Sequence, residues 1–260
     1  MTAPLFVRPD GSGSRVAGLR RPLARVAGEP DAPAGPMTKR ETMRAIVLDL
    51  DDTLYLERDF AVSGYLAVAD RFADRLGDRE LAVAAMRYEL DHGDRRRVFD
   101  GAVRRLALPP DPELIREMIE AYGSHPPKIA LLPDAERALA RWRGRVKLGL
   151  VSDGPAARQR AKIAALGISG VFDAIVLTDE LGPGLQKPHT AAFVAIQSAL
   201  NALPEECTYV ADNPSKDFVA PNRLGWASVR VLRPGGMYAD VRPAPGGEPA
   251  RTVASLDELD

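Results

Sequence analysis

The stretch from residue 45 to residue 55, which reads AIVLDLDDTLY, constrains the fold more than any other part of the chain. It opens with four apolar residues and then turns acidic. An uninterrupted apolar run between polar flanks is typical of a strand that a sheet buries on both faces. Because an unpaired charge is costly to bury, we expect the strand to end at Asp49. Asp49 and Asp51 should then share a loop at the carboxyl edge of a parallel sheet, where open α/β sheets bind ligands.

The composition is that of a folded protein in a reducing compartment. The 260 residues suit one domain, with or without an insertion, and an apolar fraction of 45% is enough for a core. A formal net charge of -1 argues against a nucleic-acid-binding surface. The single cysteine allows no internal disulfide, and no apolar run reaches the roughly 18 residues that span a bilayer. We therefore expect a cytoplasmic monomer or homodimer that binds neither nucleic acid nor membrane.

Residues 1–41 differ from the rest of the chain. They are rich in Pro, Gly, Ala and Arg, and they show no apolar periodicity. They also lack the apolar centre of a secretory signal. This composition predicts a disordered extension outside the fold, although its arginine content would also suit a transit-like segment or a nucleic-acid-contacting arm.

Residues 57–128 carry helical patterns and no strand pattern. Apolar spacing predicts helices over residues 65–76, 79–90 and about 98–106, and Asp111 followed by Pro112 predicts the capped start of a fourth. Ser152, at the end of the second predicted strand of the sheet, follows Asp49 by 103 residues. A βαβ unit needs only about 30 residues. The excess predicts a helical subdomain inserted over the carboxyl edge of the first strand.

After residue 128 the predicted elements alternate between helix and strand. The pattern predicts strands at 146–151, 174–178, 208–211 and 228–232, helices at 135–143, 155–166, 188–200 and 218–224, and a last edge element at 252–259. This alternation favours a doubly wound, parallel, Rossmann-like α/β sheet. The core should comprise residues 42–56 and 129–260, with residues 57–128 as the insertion.

Polar side chains follow several of these strands. Asp49 and Asp51 follow the first strand, Ser152 the second, and Asp212 the strand at 208–211, while Asp217 and Lys187 lie nearby in the predicted loops. Up to four carboxylates would meet at one edge, and they would repel each other without compensation. A divalent cation and a lysine would balance them, and carboxylate ligands suit Mg²⁺. The three histidines and one cysteine lack zinc-site spacing.

Four motifs occur in order along this framework: LDLDDTLY, VSDG, QKP and ADNPSKDF. With them the chain resembles the haloacid dehalogenase (HAD) superfamily, most of whose members are phosphatases. The resemblance covers about residues 44–232 and includes a helical cap inserted after the first motif. One departure is Ala211, where the family often has glycine.

The resemblance implies roles for the first motif. Asp49 would be the nucleophile that forms an aspartyl-phosphate. Asp51 would be the general acid for the leaving alcohol and then the base for the attacking water, so we expect its environment to raise its pKa. Thr53 would help to orient Asp51. Since the dehalogenases of the family lack a carboxylate at the position of Asp51, its presence favours phosphoryl transfer.

The other motifs would bind phosphate and metal. Lys187 would neutralise charge on the transferring group, and Asp217 would hold Lys187 or a metal-bound water. Asp212 would bind Mg²⁺ together with Asp49 and the backbone carbonyl of Asp51. The phosphoryl oxygens would be held by Ser152, Asp153 and Gly154.

The main interpretation is a Mg²⁺-dependent phosphatase acting on a small phosphorylated metabolite, such as a sugar phosphate or a nucleotide. A phosphomutase remains open, because Asp51 does not separate hydrolysis from the return of a phosphoryl group to a sugar. A non-catalytic protein that binds phosphorylated metabolites also remains open, since fold alone does not give function. Tyr55, Arg58 and Phe60, which lie where the chain enters the cap, could line the substrate pocket.

Overall fold

The structure, a computed structural model, describes residues 6–7 and 44–259. These residues form a seven-stranded sheet with the order β1-β4-β3-β2-β5-β6-β7. Its strands are β1 (Phe6–Val7), β2 (Ala45–Leu48), β3 (Lys147–Ser152), β4 (Ala174–Leu177), β5 (Cys207–Ala211), β6 (Ala227–Val231) and β7 (Arg251–Val253). All strand pairs are parallel except β1 with β4. The predicted Rossmann-like α/β class is confirmed.

The helices of the sheet domain follow the predicted alternation. They are α6 (Pro133–Trp142), α7 (Ala156–Ala165), α8 (Ala191–Leu200) and α9 (Val219–Arg223). Helices α6 and α7 pack on one face of the sheet, and α8 and α9 pack on the other. Side chains of β2 alternate between these two faces: Ile46 and Leu48 join the first cluster, while Ala45 and Val47 join the second. The apolar run is therefore buried on both sides, as predicted.

The position of β2 brings the site residues together. This strand lies at the centre of the sheet, between β3 and β5, and Leu48 pairs with Leu150 on one side and with Val210 on the other. From β2 the chain continues to β3 and β4 on one side and returns to β5 and β6 on the other. Such a reversal opens a crevice at the carboxyl ends of the strands. Asp49 and Asp212 leave their strands at this edge.

Of the six described helices between β2 and β3, the first five fall where the sequence predicts an insertion. They are α1 (Glu57–Arg71), α2 (Ala73–Leu76), α3 (Arg79–His92), α4 (Val98–Arg105) and α5 (Pro112–Ser124), and we call residues 57–124 the helical insertion. Its helices bury a hydrophobic cluster of their own. Asp111 caps α5 as predicted, its carboxylate accepting a hydrogen bond from the Leu114 N–H at 3.0 Å. The first helix begins at Glu57, earlier than predicted, because the polar residues of its first turn obscure the apolar pattern.

Two residues of the predicted N-terminal extension belong to the sheet. Phe6 pairs with Ile175 and Val7 with Ala174, which makes β1 an antiparallel edge strand. Excluding these two residues from the fold was wrong, since two positions carry no readable period of hydrophobicity. The remainder of the predicted extension lies outside the described residues. Among the described helices, none has the length and apolar character that crossing a bilayer requires.

Candidate active site

Lys187 lies between two carboxylates at the carboxyl edge of the sheet. Its Nζ is 2.8 Å from Asp49 Oδ1 and 2.8 Å from Asp217 Oδ1, and it donates to the Tyr209 hydroxyl at 3.1 Å. All four side chains are buried. Burial by itself would lower the pKa of Lys187, but Asp217 and Asp49 raise it well above its usual value. Lys187 is therefore a fixed positive charge beside the predicted nucleophile.

Asp49, Asp212 and Asp217 form a cluster that fits a metal ion. Each offers one carboxylate oxygen, and these three oxygens lie within 4.8 Å of one another. Oδ2 of Asp212 is buried and has no hydrogen-bond partner among the described residues. Burial, with the charges of Asp217 and Asp49, raises the pKa of Asp212 to about 9, and burial raises the pKa of Asp49 to about 6. The cluster thus lacks a positive charge that an oxygen-preferring cation would supply.

Asp51 lines the same cavity but has a separate set of partners. Oδ1 accepts a hydrogen bond from the Tyr55 hydroxyl and lies 2.6 Å from Lys162 Nζ, while Oδ2 accepts from Gln159 Nε2 at 3.0 Å. Burial alone would raise the pKa of Asp51, but Lys162 outweighs it, with help from Tyr55 and Gln159, and the pKa falls below its usual value. The predicted rise was wrong, because no sequence pattern indicates that a lysine packs against this carboxylate.

Thr53 and Ser152 make contacts that the sequence analysis did not predict. The Thr53 hydroxyl is buried without a hydrogen-bond partner in the described part of the chain, so nothing in its contacts orients Asp51. Its backbone carbonyl instead accepts two hydrogen bonds from the Arg233 guanidinium. Ser152 is fully buried, and its hydroxyl accepts a hydrogen bond from Gln159 Nε2 at 2.6 Å. The predicted contact of Thr53 with Asp51 and the predicted contact of Ser152 with phosphate remain predictions.

A cavity of about 160 Å³ opens over this edge of the sheet. Five of the residues predicted from the motifs line it: Asp49, Asp51, Asp153, Gly154 and Asp212. The sequence did not single out four others, which are Glu57, Asn213, Lys216 and Tyr238. Of these, Asn213 and Lys216 lie inside the fourth motif, where their position could have identified them.

Asp153 is an anchor for the loops around the cavity. One of its oxygens accepts hydrogen bonds from the Thr178 hydroxyl at 2.8 Å and from the Lys187 N–H at 3.1 Å. The other lies 2.7 Å from Lys216 Nζ. Burial would raise the pKa of Asp153, yet Lys187 and Lys216 lower it. Because a carboxylate repels phosphate, a phosphate-binding role at this position can belong only to the backbone.

Asp52 connects the start of the helical insertion to a distant loop of the core. One of its oxygens accepts from the Glu57 N–H at 2.8 Å, and the other accepts from the Met237 N–H at 2.7 Å. This arrangement fixes the backbone at Glu57 and next to Tyr238, two residues that line the cavity. Burial, and then the nearby charge of Asp51, raises the pKa of Glu57 to about 7.

The three residues expected to line the pocket at the entry to the insertion lie elsewhere. Tyr55 is buried and hydrogen-bonds to Asp51, Arg58 pairs with Asp91 at 2.6 Å, and Phe60 packs beneath Lys162. Glu57, in the first turn of α1, reaches the cavity instead. An acidic residue in a first turn is also typical of a helix start, so the sequence alone did not mark it.

The geometry can be compared with known proteins. The family model of haloacid dehalogenase-like hydrolases matches residues 43–225. The chain belongs to this family. The predicted membership is confirmed, and with it the prediction of a hydrolase. This HAD hydrolase is 32% identical to a glyceraldehyde 3-phosphate phosphatase of Methanopyrus kandleri, over 77% of this chain and 88% of the relative.

Two further comparisons agree with this assignment. A phosphoserine phosphatase of Thermus thermophilus is 30% identical over 74% of this chain and 91% of its own length. This relative and that of Methanopyrus kandleri are both phosphatases, the enzyme class predicted from the motifs. The fold is shared with the HAD-hydrolase YfnB of Bacillus subtilis, whose crystal structure has bound magnesium. It aligns with a TM-score of 0.60 at 17% identity, covering 84% of this chain and 97% of that one.

Proposed function

We propose that this chain is a Mg²⁺-dependent phosphatase that hydrolyses a small phosphomonoester through an aspartyl-phosphate on Asp49. One observation carries the proposal: two carboxylates line the same cavity in different electrostatic environments. Asp49 pairs with Lys187 and lies beside Asp212 and Asp217, while Asp51 is held by Lys162, Gln159 and Tyr55. Carboxyl groups separated in this way can take different roles in one reaction.

In the first half-reaction, a carboxylate oxygen of Asp49 attacks phosphorus as the bond from phosphorus to the leaving oxygen breaks. Asp51 passes its proton to that oxygen, which leaves as an alcohol. The negative charge of the incoming phosphoryl group raises the pKa of a neighbouring carboxyl, so Asp51 can take up this proton when substrate binds. Lys187 balances the charge that gathers on the phosphoryl oxygens.

In the second half-reaction, Asp51 is an ionised carboxylate, the form that Lys162, Tyr55 and Gln159 favour. It accepts a proton from water as the water oxygen attacks phosphorus, and the bond between Asp49 and phosphorus breaks. Inorganic phosphate forms, and Asp49 is free again. Splitting the displacement in this way replaces one difficult step with two easier ones.

The unpartnered oxygen of Asp212 supports the assignment of a metal to this site. Asp49, Asp212 and the backbone carbonyl of Asp51 would hold Mg²⁺, with Asp217 securing Lys187 beside them. The ion would supply charge stabilisation for the transferring phosphoryl group.

The substrate should be small, and the helical insertion should act as a cap over it. The cavity of about 160 Å³ is small beside the roughly 300–1,000 Å³ of typical ligand pockets. The two phosphatases compared above are named for glyceraldehyde 3-phosphate and phosphoserine, which are both three-carbon phosphomonoesters. We therefore favour a three-carbon substrate over a nucleotide. The one cysteine, Cys207, is buried and free, which supports a cytoplasmic setting.

The direct test is phosphate release from a panel of three-carbon phosphates, sugar phosphates and nucleotides, with Mg²⁺ and with EDTA. Asp49→Asn serves as the chemical control, and the exposed Asp240→Asn serves as the matched surface control. Metal-dependent release that Asp49→Asn abolishes and Asp240→Asn preserves would support the proposal. Release that survives in Asp49→Asn, or a folded protein that releases nothing, would contradict it.

A further inference from the structure

Lys162 is a buried lysine that none of the four motifs contains. It lies on α7, and only 4% of its side chain is exposed. Taking an ammonium out of water is costly unless a partner compensates. Its Nζ lies 2.6 Å from Asp51 Oδ1, so the compensating partner is the carboxylate assigned to proton transfer.

Helix α7 supports both oxygens of that carboxylate. Gln159 lies three positions before Lys162, on the same helix face, and is 1% exposed. Its Nε2 donates to Asp51 Oδ2 at 3.0 Å and to the Ser152 hydroxyl at 2.6 Å. With Lys162 on one oxygen and Gln159 on the other, the plane of the Asp51 carboxylate is fixed. Asp51 lines the cavity, while Lys162 contacts it from α7.

The same helix contacts the helical insertion. Nζ of Lys162 lies 4.4 Å from the centroid of the Phe60 ring, in the first turn of α1. One turn earlier on α7, the Arg158 guanidinium lies 5.7 Å from the centroid of the Tyr122 ring of α5. Cations over aromatic faces are attracted by the ring quadrupole. Lys162 therefore joins the proton-transfer carboxylate to the start of the insertion.

We propose that Lys162 is a positioning residue for the step in which the leaving group departs: it holds the Asp51 carboxyl so that its proton is aimed at the leaving oxygen. The inference rests on the proposed function and deepens it. In this step the bond from phosphorus to the leaving oxygen breaks, the proton moves from Asp51 to that oxygen, and Asp51 is left as a carboxylate. Lys162 acts through Asp51 and forms no bond to substrate.

The test compares two leaving groups in one variant. An alkyl phosphate, the best three-carbon substrate of the panel, needs its leaving oxygen protonated, whereas 4-nitrophenolate is a weak base and leaves without a proton. The measured quantity is kcat/KM, which reports only on steps up to formation of the aspartyl-phosphate. Lys162→Met removes the ammonium and keeps an apolar stem of similar length.

We expect Lys162→Met to lower kcat/KM for the alkyl phosphate by about 100-fold, within the usual range for general acid catalysis. The value for 4-nitrophenyl phosphate should change less than about threefold, as should the inhibition constant of inorganic phosphate. Turnover of the aryl substrate shows that the variant is folded. Lys162→Gln is measured beside it and should show the same selective loss. Arg160→Met, on an exposed residue of α7 that pairs with Glu180, should leave both substrates unaffected.

Equal losses on both substrates, or an alkyl value within threefold of wild type, would overturn the positioning role. Failure of the proposed function has a different signature, because the wild-type protein would then release phosphate from neither substrate, or Asp49→Asn would remain active.

Discussion

Oδ1 of Asp217 lies 2.8 Å from Nζ of Lys187, and neither side chain has any exposed surface. Oδ2 of the same carboxylate accepts the Asn213 N–H at 3.0 Å, which ties the lysine to the loop that carries Asp212. The position of the Lys187 ammonium is therefore fixed between two carboxylates, those of Asp217 and Asp49.

Asp217→Asn should lower kcat by about 10- to 100-fold, the range usual for residues that orient catalytic or metal-binding groups. The amide cannot match the charge of Lys187, and its single acceptor oxygen cannot serve both Lys187 Nζ and the Asn213 N–H, which the two carboxylate oxygens serve. Steady-state kinetics with Mg²⁺ would measure the effect, with the exposed Asp240→Asn as control. Wild-type kcat in Asp217→Asn would show that Asp49 alone is enough to position the lysine.

Mg²⁺ binding should release a proton at pH 7. In the metal-free protein the pKa of Asp212 is about 9, so this carboxyl is protonated at pH 7, and a cation must displace the proton to bind the carboxylate. The apparent affinity for Mg²⁺ should then rise with pH from 6 to 9. Calorimetric titration in two buffers of different ionisation enthalpy measures the released protons. Binding without proton release at pH 7 would contradict this assignment.

The metal-free protein should lose stability as pH rises. Asp49, Glu57 and Asp212 have folded pKa values of about 6, 7 and 9, all above the usual carboxyl range. Between about pH 4 and pH 9 the folded state therefore binds more protons than the unfolded state, and its free energy of unfolding falls with rising pH. Thermal melts in EDTA should show this decline, and Mg²⁺ should reduce it. A flat profile in EDTA would count against these ionisations.

Glu57→Gln should lower KM at pH 8 more than at pH 6. The pKa of Glu57 is about 7, so it is largely ionised at pH 8, where its charge opposes an anionic substrate in the cavity. We expect the ratio of wild-type to variant KM to rise by about threefold between the two pH values. Comparing variant and wild type at each pH cancels the ionisation of the substrate itself. A ratio independent of pH would show that Glu57 does not sense the substrate charge.

The buried ion pair between Asp134 and Arg233 should contribute strongly to the free energy of unfolding. Asp134 Oδ2 accepts from Arg233, from the Ser255 hydroxyl at 3.0 Å and from the Leu256 N–H at 2.8 Å. Asp134→Ala leaves the Arg233 charge buried, which should lower the free energy of unfolding by roughly 3–5 kcal/mol. Urea denaturation followed by circular dichroism would measure the loss. Asp257→Ala, which breaks an exposed pair with Arg137, should have little effect.

The stabilisation by the Asp134–Arg233 pair should change with pH in the opposite direction to that of Asp49, Glu57 and Asp212. Burial would raise the pKa of Asp134, but Arg233 and its other partners lower it. Its stabilisation is therefore complete above the usual carboxyl pKa and is lost as pH falls through the lower folded value. Acid denaturation of wild type and Asp134→Ala should converge at low pH.

The alternation of predicted strands and helices was enough to predict the parallel sheet and the residues at its carboxyl edge. Asp49 and Asp212 were predictable because strand ends on a parallel sheet share one edge, and Lys187 was predictable from its place in the QKP motif. Lys162 and Gln159 were not, since on their own they are ordinary polar residues of an amphipathic helix. Only the packing of α7 against the loop after β2 shows that they hold Asp51. For the same reason the direction of the Asp51 pKa shift could not be inferred from the motif.

The two hydrogen bonds of Asp52 restrict how the helical insertion can move. They join Glu57, where the insertion begins, to Met237 of the core. Asp52 itself lies four residues after Leu48, the last residue of β2. In any rotation, the atoms nearest the pivot travel least. A movement of the insertion about Asp52 would sweep the far ends of its helices through the largest arc while leaving Glu57 and Tyr238 almost in place. The part of the cavity wall that they form would then meet an arriving molecule before the insertion closes, so the molecule would be selected before it is enclosed.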